Sequence, residues 1–337
     1  MGTIKRGVSL YSLQDEYARK KLDLEGLLRL LKEFGAEGVE LISDQMIHGS
    51  PNPAGETIEN WLNLTEKYGL ERVSNDIFIN STLYRNRRLT IREQSELLKQ
   101  EIINAHNLGF RLVRLVSDTD QRLICPALET AEKYDVEMGL EIHAGASFQT
   151  PITKAYIEEM LRLNSPYVGV VLDCGIFCAR HPRVARAYFT QLGLSPEVAD
   201  YIDRIFERGS DPFQAYGLDG WGGQPKFPEG LKALIKNDID MQYATFATGY
   251  ENTPLSALDP YISYIKSIHG KNYEMTEDCE EYSICYKDFI EYLYEKDWSG
   301  YICTEYEGNR FTLLDEEVDS VENVRRHQEM LKKYLKR

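Results

Sequence analysis

Short apolar runs alternate along the chain with longer segments in which apolar residues recur every three or four positions. Runs rich in valine, isoleucine and leucine between turn residues predict strands, whereas the spacing of Leu24, Leu27 and Leu31 predicts a helix. The eight predicted strands lie at 7–11, 38–42, 71–74, 111–116, 137–143, 168–173, 265–269 and 300–305. Each interval between consecutive strands is long enough to hold a helix.

Two of the helices carry clear start signals. Asp23 precedes the first leucine-rich segment and is a typical N-cap residue. Thr90 and Glu93 have the spacing of a capping box, in which each side chain satisfies a backbone N–H group of the other residue. We therefore expect helices to begin directly after Asp23 and Thr90.

Strands that alternate with helices predict a parallel sheet, because parallel neighbours need a crossover connection. Eight such units close a barrel, which takes about 250 residues. The chain has 337 residues. We therefore predict the α/β class, with residues 1–337 forming a single (β/α)8 TIM barrel domain.

One interval is much longer than the others. Roughly 90 residues separate the sixth and seventh strands, whereas most repeats span about 30–40. This difference predicts an insertion at 176–260. Because it follows a strand, we expect it to lie over the C-terminal face of the barrel, as a lid or as a partner-docking element.

The charge balance excludes several classes of partner. The chain has 54 acidic and 39 basic side chains, and its net charge of −15 repels phosphate backbones and anionic membranes. We expect neither nucleic acid nor a membrane as a partner. Residues 1–6 lack the apolar core of a signal peptide, and the six cysteines form no CxxC pair. These features predict a cytoplasmic protein with reduced thiols.

Active sites of barrels of this kind lie at the C-terminal ends of the strands. Four consecutive predicted strands end in residues that bind metal ions, namely Glu141, Asp173, His269 and Glu305. Three carboxylates and an imidazole that converge would repel one another without a cation. Their oxygen and nitrogen atoms suit Mn²⁺, with Zn²⁺, Co²⁺ and Mg²⁺ as alternatives. Taken singly, a strand-end histidine is more often structural and a strand-end glutamate more often solvated.

These strand ends resemble those of a known superfamily. Glu-Ile-His-Ala-Gly at 141–145, Leu-Asp-Cys-Gly at 172–175, Ile-His-Gly-Lys at 268–271 and Glu-Tyr-Glu-Gly at 305–308 are similar to the xylose isomerase-like barrels. That superfamily contains sugar isomerases, keto-sugar epimerases, inosose dehydratases and the endonuclease IV group. The resemblance implies that Glu141, Asp173, His269 and Glu305 bind one divalent ion.

A narrower resemblance covers the opening segment at 5–17 together with Glu-Ile-His, His-Gly-Lys and Glu-Tyr-Glu-Gly-Asn-Arg at 305–310. These short sequence motifs look like those of the large (alpha) subunit of bacterial C-glycoside deglycosidases. The resemblance implies cleavage of 3-oxo-glucosides of plant polyphenols, such as 3''-oxo-puerarin. It also implies a hetero-oligomer with a small β-rich second subunit.

The residue types fit that chemistry. A C-glycosidic bond has no bridging oxygen to protonate, so the two-carboxylate glycosidase route is closed. A ketone at C3 makes the C2 proton acidic, and a base that removes it allows β-elimination of the aglycone, while a metal stabilises the enediolate. His143 is the predicted base, with a fifth metal ligand or a hydrogen-bonded support as the alternatives. Lys271 is predicted to bind the sugar carbonyl, unless it is held in a salt bridge.

The substrate contacts have weaker signals. We predict that the sugar and aglycone contact residues at strand ends and in the insertion, namely Tyr11, Glu40, Trp221, Glu307 and Arg310. Glu40 and Arg310 have structural salt bridges as their alternative roles.

Other functions remain open at this point. A sugar or sugar-phosphate isomerase or epimerase begins with the same proton abstraction, and a second group that returns the proton would favour it. Endonuclease-type DNA repair would need more ligands and a basic groove, which the net charge opposes. The sequence contains no dinucleotide-binding fingerprint, so we expect no nicotinamide or flavin cofactor.

Overall fold

The computed structural model describes residues 2–216, 225–313 and 315–335. Its eight parallel strands pair in chain order and close into a barrel. The strands are β1 (Ile4–Ser9), β2 (Gly38–Leu41), β3 (Glu71–Ile77), β4 (Leu112–Leu115), β5 (Glu137–Ile142), β6 (Val168–Asp173), β7 (Ile265–Asn272) and β8 (Gly300–Tyr306). The predicted (β/α)8 fold is confirmed.

The longer helices follow the strands along the chain, and three of them lie between β6 and β7. They are α1 (Leu24–Glu33), α2 (Gly55–Tyr68), α3 (Ile91–Asn107), α4 (Ile124–Tyr134), α5 (Pro151–Leu163), α6 (Arg183–Gln191), α7 (Pro196–Glu207), α8 (Asp238–Phe246), α9 (Tyr286–Glu295) and α10 (Ser320–Tyr334). The Asp23 carboxylate accepts a hydrogen bond from the Gly26 backbone at 2.8 Å, and Thr90 with Glu93 forms the expected capping box. Within the described part of the chain, no helix has the length and apolar character needed to cross a bilayer.

Aliphatic side chains from the strands join the barrel to its helices. Leu140, Leu172, Ile268 and Ile302 are fully buried in the hydrophobic core. Because side chains alternate along a strand, their neighbours Glu141, Asp173 and His269 point to the opposite side. The strand pattern thus directs the polar residues of β5, β6 and β7 into the barrel.

Two strands extend further than the sequence predicts. The prediction ended the third strand at 74, yet Asn75, Asp76 and Ile77 pair with β4. Asparagine and aspartate are unfavourable in strands, but hydrogen bonding to a neighbouring strand outweighs that preference. β7 likewise continues to Asn272, because Lys271 and Asn272 pair with β8.

The segment at 176–260 contains the helices α6, α7 and α8. Its two ends lie side by side, since the Cys178 N–H donates to the Glu251 carbonyl and the Thr253 N–H to the Ile176 carbonyl, each at 2.8 Å. Ile202 is fully buried within this helical segment. Trp221, which the sequence assigns to substrate binding, lies outside the described residues.

The capping box at the start of α3 offers a test of local stability. Thr90→Ala removes both the hydroxyl that accepts from the Glu93 N–H at 3.3 Å and one partner of the Glu93 carboxylate. We expect the free energy of unfolding to fall by about 1 kcal/mol, the usual cost of a lost N-cap. Urea denaturation measures this, and an unchanged midpoint would contradict the role of the cap.

Candidate active site

Four acidic and imidazole side chains converge at the C-terminal end of the barrel. Glu141, Asp173, His269 and Glu305 each present one ligand atom, and these four atoms all lie within 4.8 Å of one another. They come from β5, β6, β7 and β8, and each residue is at most 6% exposed. Strand pairing fixes their relative height, because Asp173 lies opposite His269 in the β6–β7 register.

The donor set fits a divalent cation. His269 Nδ1 lies 2.9 Å from Glu141 Oε1 and 3.3 Å from Glu305 Oε2. Asp173 Oδ2 and Glu305 Oε2 are both buried, and the Lys271 ammonium is within ion-pair distance of each. This one ammonium compensates only part of the charge of three converging carboxylates, and buried charge is costly unless it is compensated. This cluster can therefore hold a metal ion with oxygen and nitrogen ligands.

Lys271 is the cation nearest to the cluster. Its ammonium lies 3.0 Å from Asp173, 2.7 Å from Glu305 and 3.1 Å from Glu307. Burial alone would lower the pKa of Lys271, but Asp173, Glu305 and Glu307 raise it well above its ordinary value. The side chain is therefore a charged donor, and in this arrangement it has the salt bridges that the sequence leaves open as its alternative role.

His143 follows β5 and lies beside the cluster. Its Nδ1 is 2.5 Å from the Ala144 carbonyl, and its Nε2 is 2.6 Å from Ser117 Oγ. A carbonyl only accepts hydrogen bonds, so Nδ1 carries the proton of the neutral ring. In the neutral ring Nε2 then carries the lone pair, which accepts a hydrogen bond from the Ser117 hydroxyl. Among the described residues, His143 is not in the group of converging ligand atoms, and it lines the cavity next to that group.

Glu40 differs from the prediction that it contacts sugar hydroxyls. Its side chain is fully buried, and its Oε2 lies 3.4 Å from His269 Nε2. Glu40, Asp76 and His269 form a second group whose ligand atoms are within 4.8 Å of one another. Burial is the largest cause that raises the pKa of Glu40, to about 8. The reason for the difference is that Glu40 is fully buried and, unlike Glu141 and Glu305, does not line the cavity at this end of the barrel.

A cavity of about 480 Å³ opens above the cluster. Glu141, Asp173, Lys271 and Glu305 line its floor, and His143 lines its wall. Of the predicted substrate contacts, Tyr11, Glu307 and Arg310 also line it. Arg310 donates to Glu307 at 2.9 Å, which is the structural salt bridge considered as its alternative.

The segment at 176–260 supplies part of the cavity wall. Phe246, Thr248, Gly249 and Tyr250 all face the cavity. Glu251 attaches this wall to the loop after β5, since it accepts a hydrogen bond from the Gly145 N–H at 2.6 Å. Burial raises the pKa of Glu251 to about 7. The segment therefore contacts the loop that carries His143.

Comparison with known proteins agrees with this architecture. The sequence profile of the xylose isomerase-like TIM barrel family matches residues 28–199, which is half of the chain. The chain belongs to the xylose isomerase-like TIM barrel family. The 3-keto-D-glucoside 4-epimerase of Escherichia coli is similar in fold, with a TM-score of 0.55 at 12% identity, covering 99% of this chain and 100% of the epimerase.

Two curated enzymes resemble this family member over almost their whole length. The 3'-dehydrocarminate deglycosidase alpha subunit of a Microbacterium species is 27% identical over 94% of this chain and 91% of the relative. A C-glycoside deglycosidase alpha subunit of Arthrobacter globiformis is 26% identical over 91% of this chain and 85% of the relative. Both relatives are named as alpha subunits, which implies a second subunit in those enzymes.

Several residues of this xylose isomerase-like site were not predicted from the sequence. Asp76 and Arg114 form a buried ion pair of 3.3 Å beneath the cavity, and Arg114 is 3.9 Å from Glu141. Asp76 was missed because the third strand was ended too early. Arg114 had a signal, namely a charged residue inside an apolar strand. No sequence signal indicated Ser117 or Glu251, because only the folded chain brings them to His143 and Gly145.

Proposed function

We propose that this protein is the catalytic subunit of a metal-dependent enzyme that cleaves the C-glycosidic bond of a 3-oxo-C-glucoside. Support comes from the alpha-subunit deglycosidases that it resembles, one of which is named for a 3'-dehydro substrate. The observation that carries the proposal is the position of His143. An imidazole whose Nε2 accepts from the Ser117 hydroxyl lines the same cavity as the carboxylates of Glu141, Asp173 and Glu305.

The proposed reaction starts at the carbon next to a ketone. A ketone at C3 acidifies the C2 proton, and His143 Nε2 accepts that proton. Glu141, Asp173, His269 and Glu305 would hold a divalent ion, which we propose to be Mn²⁺ and which would supply Lewis-acid stabilisation of the sugar oxygen on which charge develops. The Lys271 ammonium, which is charged and lines the cavity, donates a hydrogen bond to the same sugar oxygen.

The second half of the reaction breaks the carbon–carbon bond. When the C3 ketone forms again, a C1–C2 double bond forms and the electron pair of the C1–aryl bond leaves with the aglycone. The aryl carbon then takes up one proton. The products are the polyphenol and a 1,2-unsaturated 3-keto sugar, so that atoms and charge balance without an oxidant or a reductant, and the reaction is a lyase reaction.

A sugar isomerase or epimerase is the second candidate. Lys271 and Glu307 line the same cavity as His143 but come from β7 and from the end of β8. Either could return a proton to the carbon from which His143 had removed one. An enzyme of that type would rearrange an unsubstituted keto sugar and would need no space for an aglycone.

We also propose that the segment at 176–260 acts as a lid or as the docking site of a small β-rich subunit. Phe246 and Tyr250 at its end form a wall of the cavity, so a partner that presses on this segment would reshape the site. The proposed setting is the cytoplasm, where the cysteines remain reduced.

Substrate and partner are tested in one experiment. The purified chain, alone and with a small candidate subunit, is incubated with puerarin and with 3''-oxo-puerarin, and released aglycone is measured by chromatography. We expect release from the 3-oxo compound only, and more release with the partner present than from the chain alone. A fully active, monodisperse homo-oligomer would contradict the partner. Rearrangement of free keto sugars without aglycone release would favour the isomerase.

A further inference from the structure

Beside His143, further empty space lies next to the cavity above the cluster. A second cavity of about 450 Å³ adjoins it, and the two share the lining residues Phe78, Val116 and His143. This second cavity lies between the loop after β3 and the loop after β4. Its volume falls within the range of small-molecule sites. We call it the β3–β4 groove, defined by Phe78, Ile79, Asn80, Ser81, Thr82, Arg88, Val116, Ser117, Asp118 and His143.

The barrel itself places the inner wall of the groove. Ile77 pairs with Leu115 at the ends of β3 and β4, so the next residues of each strand, Phe78 and Val116, leave the barrel side by side. His143 follows the end of β5, the next strand around the barrel. Three adjacent strand ends therefore form one continuous wall that leads away from the acidic cluster.

Phe78 has an unusual environment for a large apolar side chain. It is 39% exposed, although it sits at the mouth of a cavity rather than on a convex surface. The Arg114 guanidinium lies over its ring at 5.1 Å from the centroid, within the range of a cation–π contact. Arg114 is itself held by Asp76 and Glu141. The Phe78 ring thus packs against Arg114 and remains partly exposed to solvent.

We propose that the β3–β4 groove binds the planar, hydroxylated aromatic aglycone and that Phe78 stacks against it. This inference rests on the proposed function, because it assigns a binding site to the aglycone that leaves in that reaction. C1 and C2 of the sugar are bonded neighbours, so the bond that breaks lies next to the proton that His143 removes. The aglycone must therefore leave the sugar beside His143, where the groove begins.

The opposite wall of the first cavity offers a less suitable surface for stacking an aromatic aglycone. Tyr250 is 3% exposed, and its ring makes edge contacts with Phe246 and Tyr273. These rings already pack against one another. In the groove, by contrast, Phe78 is partly free, and the exposed Asn80, Arg88 and Asp118 can hydrogen-bond phenolic hydroxyl groups.

The test measures binding of a hydroxylated isoflavone such as daidzein to the full-length, metal-loaded chain by fluorescence titration. Phe78→Ala should weaken binding about tenfold, the scale of one lost aromatic stack with its buried area. Phe78→Tyr should restore most of the affinity. Tyr84→Ala is the matched control, because Tyr84 is an exposed ring on the same loop that lines neither cavity, and it should bind as the wild type does.

The outcomes separate this inference from the proposed reaction. Failure of the chain to bind the isoflavone, or equal affinity of the wild type and Phe78→Ala, overturns the groove, even if 3''-oxo-puerarin is cleaved. A Phe78-dependent affinity in a protein that cleaves no 3-oxo-glucoside supports the groove and overturns the reaction instead. A further supporting result is a KM for 3''-oxo-puerarin that rises in Phe78→Ala and recovers in Phe78→Tyr.

Discussion

Replacing His143 with alanine is expected to lower turnover of the 3-oxo-glucoside about 10²-fold or more while the protein keeps its metal ion. That factor is the usual contribution of a positioned base. The structural reason is that Nδ1 donates to the Ala144 carbonyl, so that Nε2 can accept the proton once the Ser117 hydroxyl no longer donates to it. Solvent exchange of the C2 proton, followed by NMR in D2O, should stop together with aglycone release.

The same variant distinguishes a base from a ligand. If His143 bound the ion, metal content would fall with activity, and excess Mn²⁺ would restore part of it. His106→Ala is the control for the loss of an imidazole. His106 lies at the end of α3, where its ring hydrogen-bonds the Tyr134 carbonyl, and neither residue lines the cavity. A His143 variant with normal metal content and wild-type C2 exchange would remove His143 from the mechanism and make Lys271 or Glu307 the next candidate.

Removing the metal is expected to abolish activity altogether. The purified protein should contain about one divalent ion, because the ligand atoms of Glu141, Asp173, His269 and Glu305 all fit within 4.8 Å. EDTA should remove both the ion and the activity, and Mn²⁺ or a similar ion should restore them. Elemental analysis and the activity assay together check this. Full activity in a rigorously metal-free sample would refute the metal site.

Single ligand substitutions should reproduce the effect of the chelator. Glu141→Ala or Glu305→Ala removes one of three anionic ligands. The affinity for the ion should therefore fall by more than the 10–100-fold loss that is typical when a residue hydrogen-bonded to a metal ligand is replaced. Glu137→Gln is a matched control at the other end of β5, where Glu137 pairs with Lys266 at 3.2 Å. That variant should retain the ion. A Glu141→Ala protein with undiminished metal affinity would exclude Glu141 as a ligand.

Local sequence signals determined the architecture of this protein. The eight apolar runs predicted the strands, and Asp23 and the Thr90–Glu93 pair fixed the starts of two helices, because capping depends on residues within one turn of each other. The strand ends also singled out Glu141, Asp173, His269 and Glu305. Parallel strands in a closed barrel end on one face, so polar residues at those ends must converge.

The tertiary structure alone decided how deep each side chain lies and what it contacts. Glu40 is at a strand end like the four converging residues, yet it is fully buried against His269 and does not line the cavity. The stagger between neighbouring strands sets the height of each strand end, and it is not encoded within one strand. Ser117 and Glu251 reach His143 and Gly145 from 26 and 106 residues away in sequence. Such contacts depend on the packing of whole elements, so no local pattern could have shown them.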